Sequence, residues 1–224
     1  MQQLPLAIGP DASPSFDSFV PGLNVAALQH LRALTAPAAP VYLWGPQGSG
    51  KTHLLRALAF ATQQRGARAG WFTADTPVPW PFDEAWSLLV FDGCDAFDAE
   101  RQQAAFALFV EATTHGVQVA AAGRVPPVDL PVRDDLRTRL GWGHVFAVEP
   151  LAEADVRATL RREADRRGIF LSDEVMDHLL TRFARDLKHL MALLDRLDGF
   201  ALARQRPVTV PLLKLMLAEE GGAA

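Results

Sequence analysis

The residues best suited to chemistry are the run Gly45-Pro46-Gln47-Gly48-Ser49-Gly50-Lys51-Thr52. Its glycines permit a tight loop whose main-chain N–H groups converge on phosphate oxygens, and a helix opening at its end adds a positive dipole. At this spacing Lys51 reaches the β- and γ-phosphates of a nucleotide and the Thr52 hydroxyl reaches Mg²⁺. A glycine-rich turn can arise by accident. Here the apolar run Val41–Trp44 precedes it and the helical run His53–Ala61 follows, which is the strand–loop–helix setting the pattern needs. Gly45, Gly48, Gly50, Lys51 and Thr52 are therefore the candidate site for ADP or ATP with Mg²⁺.

A second chemical feature is Leu88-Leu89-Val90-Phe91-Asp92, an apolar strand ending in a carboxylate. Beside a phosphate loop such a carboxylate joins Thr52 around the magnesium. The next residue, Gly93, has no side chain with which to orient an attacking water. Asp95 is the nearest acid that could substitute, so slow intrinsic hydrolysis is expected. Cys94 reads as a small packing residue.

These residues need a scaffold. Val41–Trp44, Ala69–Thr73, Leu88–Phe91, Val117–Ala122 and Val145–Val148 read as strands. His53–Gln64, Glu100–Thr113 and Asp134–Leu140 read as helices between them, and proline-rich Ala74–Ala85 as a loop. Strands that are apolar throughout, separated by helices, predict an α/β fold with a parallel sheet covered on both faces. After Pro150 the pattern turns wholly helical: Glu153–Arg167, Asp173–Arg182, Asp186–Ala203 and Val210–Glu219, with Ser172 and Asp173 suited to an N-cap and Gly168 to a stop. The expected organisation is an extended tail over 1–15, an α/β P-loop domain over 16–150 and an all-helical lid domain over 151–224.

Bulk properties narrow the classes. Apolar residues form 49% of the 224, enough for a core, and the net charge of −4 disfavours an autonomous grip on DNA. The single cysteine excludes an internal disulfide, no Cys/His cluster has zinc spacing, no apolar run spans a membrane, and the N-terminus lacks a signal-peptide pattern. A cytoplasmic setting is expected.

At this point the sequence resembles the DnaA-type branch of the AAA+ ATPases. Phe16-Asp17-Ser18-Phe19-Val20-Pro21-Gly22-Leu23-Asn24 is similar to the DnaA lead-in segment beside the adenine. Tyr42-Leu43-Trp44-Gly45, Gly50-Lys51-Thr52-His53-Leu54-Leu55, Pro126-Pro127 and Arg139-Leu140-Gly141-Trp142-Gly143 extend the likeness. The pattern resembles most the Hda family, short DnaA homologues that lack the DNA-binding domain. The resemblance implies binding of ADP or ATP, docking on the DNA sliding clamp (the beta subunit of the replicase), stimulation of DnaA-bound ATP hydrolysis, and contact with DNA only through the clamp. It assigns Phe19, Val20, Asn24 and the lid residue Arg185 to the nucleotide, and Arg139 to an arginine finger acting in trans. Read without it, Arg139 is a cation at a helix end, Arg185 a partner for nearby acids, and Trp142 a packing residue. One departure stands out. Ala122-Gly123-Arg124-Val125 carries a cation where the family has a polar residue, often Asp.

The N-terminal Gln3-Leu4-Pro5-Leu6 is similar to a clamp-binding peptide. An extended Gln with spaced leucines places an amide on a pocket rim and two apolar anchors inside; the same tail could instead fold back on its own domain. A helicase-loader-type AAA+ ATPase and a non-enzymatic nucleotide-dependent adaptor remain alternatives, and self-association is left open.

Overall fold

The computed structural model describes residues 14–35, 37–183 and 186–221. Its first 150 residues hold α1 (Val25–Ala33), β1 (Val41–Trp44), α2 (Lys51–Gln64), β2 (Arg68–Phe72), β3 (Trp86–Asp92), α3 (Ala99–Thr114), β4 (Gln118–Gly123), α4 (Asp134–Leu140) and β5 (His144–Ala147). The five strands form one parallel sheet in the order β2-β3-β4-β1-β5. A nucleotide crevice in such sheets lies outside the strand C-termini where the order reverses, here at β1.

The continuous apolar strands conceal an alternation of period two. Tyr42, Leu89, Phe91, Val119 and Ala121 face a core with Phe109, Leu108 and Leu136 of α3 and α4. Val41, Leu43, Leu88, Val90, Ala120 and Ala122 face the other, with Leu31 of α1 and Leu54, Leu55 and Leu58 of α2. Both faces are thus covered, as the sequence predicts.

The element ends show where local signals fall short. Helix α1 has no counterpart in the sequence reading, although Ala27, Leu28 and Leu31 form its buried stripe. Helix α2 opens at Lys51 rather than His53, with Gly50 in a left-handed conformation as its N-cap. Strand β3 begins at Trp86, two residues early, because Trp86 pairs with Arg68 across a register shift and packs edge-on to Phe72. Strand β2 stops at Phe72 because the Thr73 N–H turns to the Thr76 hydroxyl at 3.0 Å.

The chain divides into two compact units between Pro150 and Leu151. The second contains α5 (Glu153–Arg166), α6 (Asp173–Arg182), α7 (Leu187–Arg204) and α8 (Val210–Gly221). Ser172 caps α6 by accepting from the Val175 N–H. Asp186 lies outside α7 as its cap, accepting from the Lys188 N–H. The four helices surround their own core, including Val156, Leu160, Met176, Leu179, Leu190, Leu194 and Leu213. Among the described residues no helix is long and apolar enough to cross a membrane.

Candidate nucleotide-binding site

The phosphate loop joins the C-terminus of β1 to the N-terminus of α2. Gly45, Gly48 and Gly50 have φ of 152°, 79° and 102°, which only glycine adopts without strain. Gly45 is doubly constrained, since a Cβ there would lie 2.2 Å from the Val148 carbonyl oxygen. Residue type at these positions is therefore fixed by the backbone path that aims N–H groups into the loop.

Lys51 folds over this loop. Its ammonium donates to the Gly45 and Pro46 carbonyls, both at 2.7 Å, and to Ser49 Oγ at 3.3 Å. These are weak acceptors compared with phosphate oxygens, so the ammonium is poised to exchange them. Thr52 Oγ1 donates to the Asp92 carboxylate at 2.9 and 3.1 Å. The two candidate magnesium ligands thus meet although 40 residues separate them. Among the described residues no three His, Cys, Asp or Glu side chains form a metal cluster. Thr52 and Asp92 alone suit a hard cation that takes its other ligands from phosphate and water.

Burial sets the electrostatics here. It pushes the Asp92 carboxyl above its ordinary value, against the hydrogen bond from Thr52 and the charges of Arg56 and Lys51. It also pulls Lys51 below its ordinary value, against Asp92 and Asp95. Both groups would hold their charge more readily beside a bound phosphate and cation.

The lead-in segment is fastened to α2 and β5. Phe19 is buried and packs against the His53 ring, with centroids 5.5 Å apart, while His53 Nε2 lies 3.0 Å from the Ser15 carbonyl. Val20 is half-buried beside it. Asn24 also holds the segment in place. Its buried amide donates to the Glu149 carbonyl at 2.9 Å and accepts from the Glu149 N–H at 2.7 Å. That pair pins the segment to the chain just after β5, a positioning role that only the folded chain reveals.

Asp95 is engaged by Arg124. It accepts from the Arg124 N–H at 3.0 Å and from the Arg124 guanidinium. Cys94 is buried and its thiol is pushed far up by burial, in keeping with packing.

Arg139 lies at the end of α4 with its guanidinium 5.2 Å from the Phe106 ring centre and 5.9 Å from that of Phe109. It is thus held against α3 by cation–π contact, and no carboxylate among the described residues pairs with it. Arg137 is instead tied to Asp134. Trp142 corrects the sequence reading: it is 69% exposed rather than packed, because the turn after α4 rests on Pro127 through Gly141. Gln3, Leu4, Leu6 and Arg185 lie outside the described residues.

Residues 11–76 match the bacterial DnaA ATPase domain, and residues 153–217 match the Hda lid domain. Domain III of the Thermotoga maritima replication initiation protein DnaA superposes with a TM-score of 0.74 at 20% identity, over 93% of this chain and 97% of that one. AMPPCP-bound DnaA from Aquifex aeolicus gives 0.67 at 21% identity, over 83% of this chain and 65% of that one. A Thermotoga maritima RuvB mutant gives 0.63 at 13% identity, over 92% and 72%. Fold and site together define an AAA+ module, a parallel-sheet P-loop unit followed by a helical lid. More narrowly, the chain is similar to DnaA-related proteins over its first part and to the Hda lid over its last.

Proposed function

We propose that the protein is a nucleotide-dependent negative regulator of replication initiation. It binds ADP or ATP with Mg²⁺ at the phosphate loop, docks on the DNA sliding clamp, and stimulates hydrolysis of ATP held by DnaA. The observation that carries this reading is the joining of an Hda-type lid, matched over 153–217, to a DnaA-type nucleotide module whose own water-orienting position is Gly93. A chain with a phosphate cradle and no acid at that position suits activating a partner's hydrolysis better than carrying out its own.

Each part has assigned residues. Lys51 and the loop N–H groups hold the phosphates, Thr52 and Asp92 the cation, Phe19 and Val20 the base, and Arg185 the nucleotide from the lid. Gln3, Leu4 and Leu6 anchor the clamp contact. Arg139 donates to the γ-phosphate in the DnaA site. Its hold on Phe106 and Phe109 gives a planar cation a fixed origin on α3, and no ion pair among the described residues must be broken before it reaches a phosphate.

The test is turnover of DnaA-bound ATP on clamp-loaded DNA, with and without this protein. The expected result is strong stimulation that disappears when residues 1–8 are removed, while nucleotide binding persists. No stimulation by the intact chain would overturn the regulatory reading, and stimulation without residues 1–8 would overturn clamp docking.

A further inference from the structure

Two imidazoles meet where α1 packs on the edge of the sheet. His30 lies in α1, and His144 opens β5, an edge strand whose strand neighbour is β1. Their ring centres are 4.3 Å apart and their planes cross at 52°, so the rings are not stacked face to face. Phe146 lies on the same face of β5 and closes a third side, its ring centre 5.0 Å from that of His30. Neither histidine has a hydrogen bond or an ion pair among the described residues. The other histidines are engaged or located elsewhere. His53 is tied to Ser15 and His115 to Glu111, while His178 and His189 belong to the helical unit.

The unmatched nitrogen sets this pair apart. His30 Nε2 is buried and has no partner. A buried polar atom left in that state costs free energy that a ligand would recover. Burial, then His144, holds the His30 imidazole below its ordinary value, which leaves it neutral near neutral pH, with a lone pair to donate. His144 is exposed, so its ring can turn and a cation has a path in from solvent. A metal held about 2.1 Å from one nitrogen of each ring lies roughly 3.2 Å from each ring centre, and at a right angle the centres are then about 4.5 Å apart. The observed separation meets that requirement. Neutral imidazole suits zinc, nickel or copper, whereas magnesium and calcium take oxygen ligands.

We propose that His30 and His144 together hold a divalent transition metal of the zinc class, with water completing its coordination. The site is a clasp between α1 and β5 rather than a catalytic centre. Asn24, one residue before α1, already hydrogen-bonds Glu149, two residues past the end of β5. Metal on His30 and His144 adds a second fastening at the other end of the same contact. It does so on a strand that has one strand neighbour, β1. Binding that requires both elements in place stabilises the folded α/β unit. The site shares no residue with the phosphate loop, so each stands or falls separately.

The test is calorimetric titration of zinc chloride into the full chain, with the melting temperature measured alongside and magnesium chloride as the hard-cation control. The wild type should bind zinc with micromolar affinity, and saturating zinc should raise its melting temperature by a few degrees. His30→Asn and His144→Gln should each weaken zinc binding about tenfold or more and remove most of that rise. The double variant should be little worse than either single one, because a chelate is lost once. His144 is exposed, so His144→Gln should keep the metal-free melting temperature, which separates loss of the site from loss of the fold. Any response to magnesium should be the same in the wild type and in these variants. Absence of micromolar zinc binding in the wild type would overturn the site. So would zinc binding that survives either substitution, because the metal would then be held by other groups.

Discussion

Asp92 in the α/β unit and Glu163 in the helical unit are both carboxylates with cations nearby, and their surroundings treat them in opposite ways. Burial lifts Asp92 above its ordinary value in spite of Thr52, Arg56 and Lys51. Hydrogen bonds from Arg166, then Arg167, bring Glu163 down to about 2. The same contrast holds for the cations. Lys51 is pulled down by burial, while Arg166 is pushed up by Glu163 and Arg157 by Asp177. In the helical unit Glu163, Arg157 and Arg166 find their partners within the unit. The α/β unit keeps charges that its fold does not fully compensate, at the place where a phosphate and a cation would compensate them.

The strongest way to break this comparison concerns Arg139, which belongs to the α/β unit but is proposed to serve another molecule's nucleotide. Arg139→Ala should lower stimulation of DnaA-bound ATP turnover by about 10³-fold or more at equal clamp occupancy. Nucleotide binding by the variant itself should be unchanged. Normal stimulation would place the trans-acting cation elsewhere.

A smaller effect separates the units. Leu194 is fully buried in the helical core, and Leu194→Ala should cost about 3 kcal/mol there. Amide exchange should accelerate in α5–α8 and remain slow in β3 and β4. Equal loss of protection in both would show one cooperative unit rather than two.

Smaller again is the effect of Asp92→Asn. It removes a carboxylate held above its ordinary value, and Asn can still accept from Thr52. The free protein should keep its thermal stability or gain up to about 1 kcal/mol, while magnesium-dependent nucleotide affinity falls. A clear loss of stability would mean the ionised carboxylate supports the fold.

The smallest effect is that of acid on the lid. Glu163 is lowered on folding, so its stabilisation is present above its ordinary value of 4.5 and is lost as pH falls through about 2. Glu163→Gln should flatten that part of the lid's acid-unfolding curve. An unchanged curve would remove Glu163 from the account.

What the sequence disclosed follows the reach of its signals. The phosphate loop is a contiguous pattern whose chemistry and backbone demand coincide, so Gly45–Thr52 could be read directly. The apolar runs set between helical stretches point to the parallel sheet, and α6 is legible at its start because Ser172 caps it. Helix α1 carries little local signal, since its buried stripe is only Ala27, Leu28 and Leu31 and no side chain caps its start. The pairing of Arg124 with Asp95 and the turn of Asn24 onto Glu149 join residues far apart in sequence, and no local pattern encodes such meetings. The exposure of Trp142 was likewise hidden, since residue type predicts burial and only the packed turn decides it.

The most direct test of the central claim is calorimetric titration of ADP with Mg²⁺ into the wild-type chain and into Lys51→Ala. Lys51 touches only the loop's own carbonyls and Ser49, so its removal should leave the melting temperature within a few degrees. The account predicts binding by the wild type and a loss of about 100-fold or more in the variant, as one charge-assisted phosphate contact disappears. A wild-type chain that fails to bind, or a Lys51→Ala chain that binds as tightly, would contradict it.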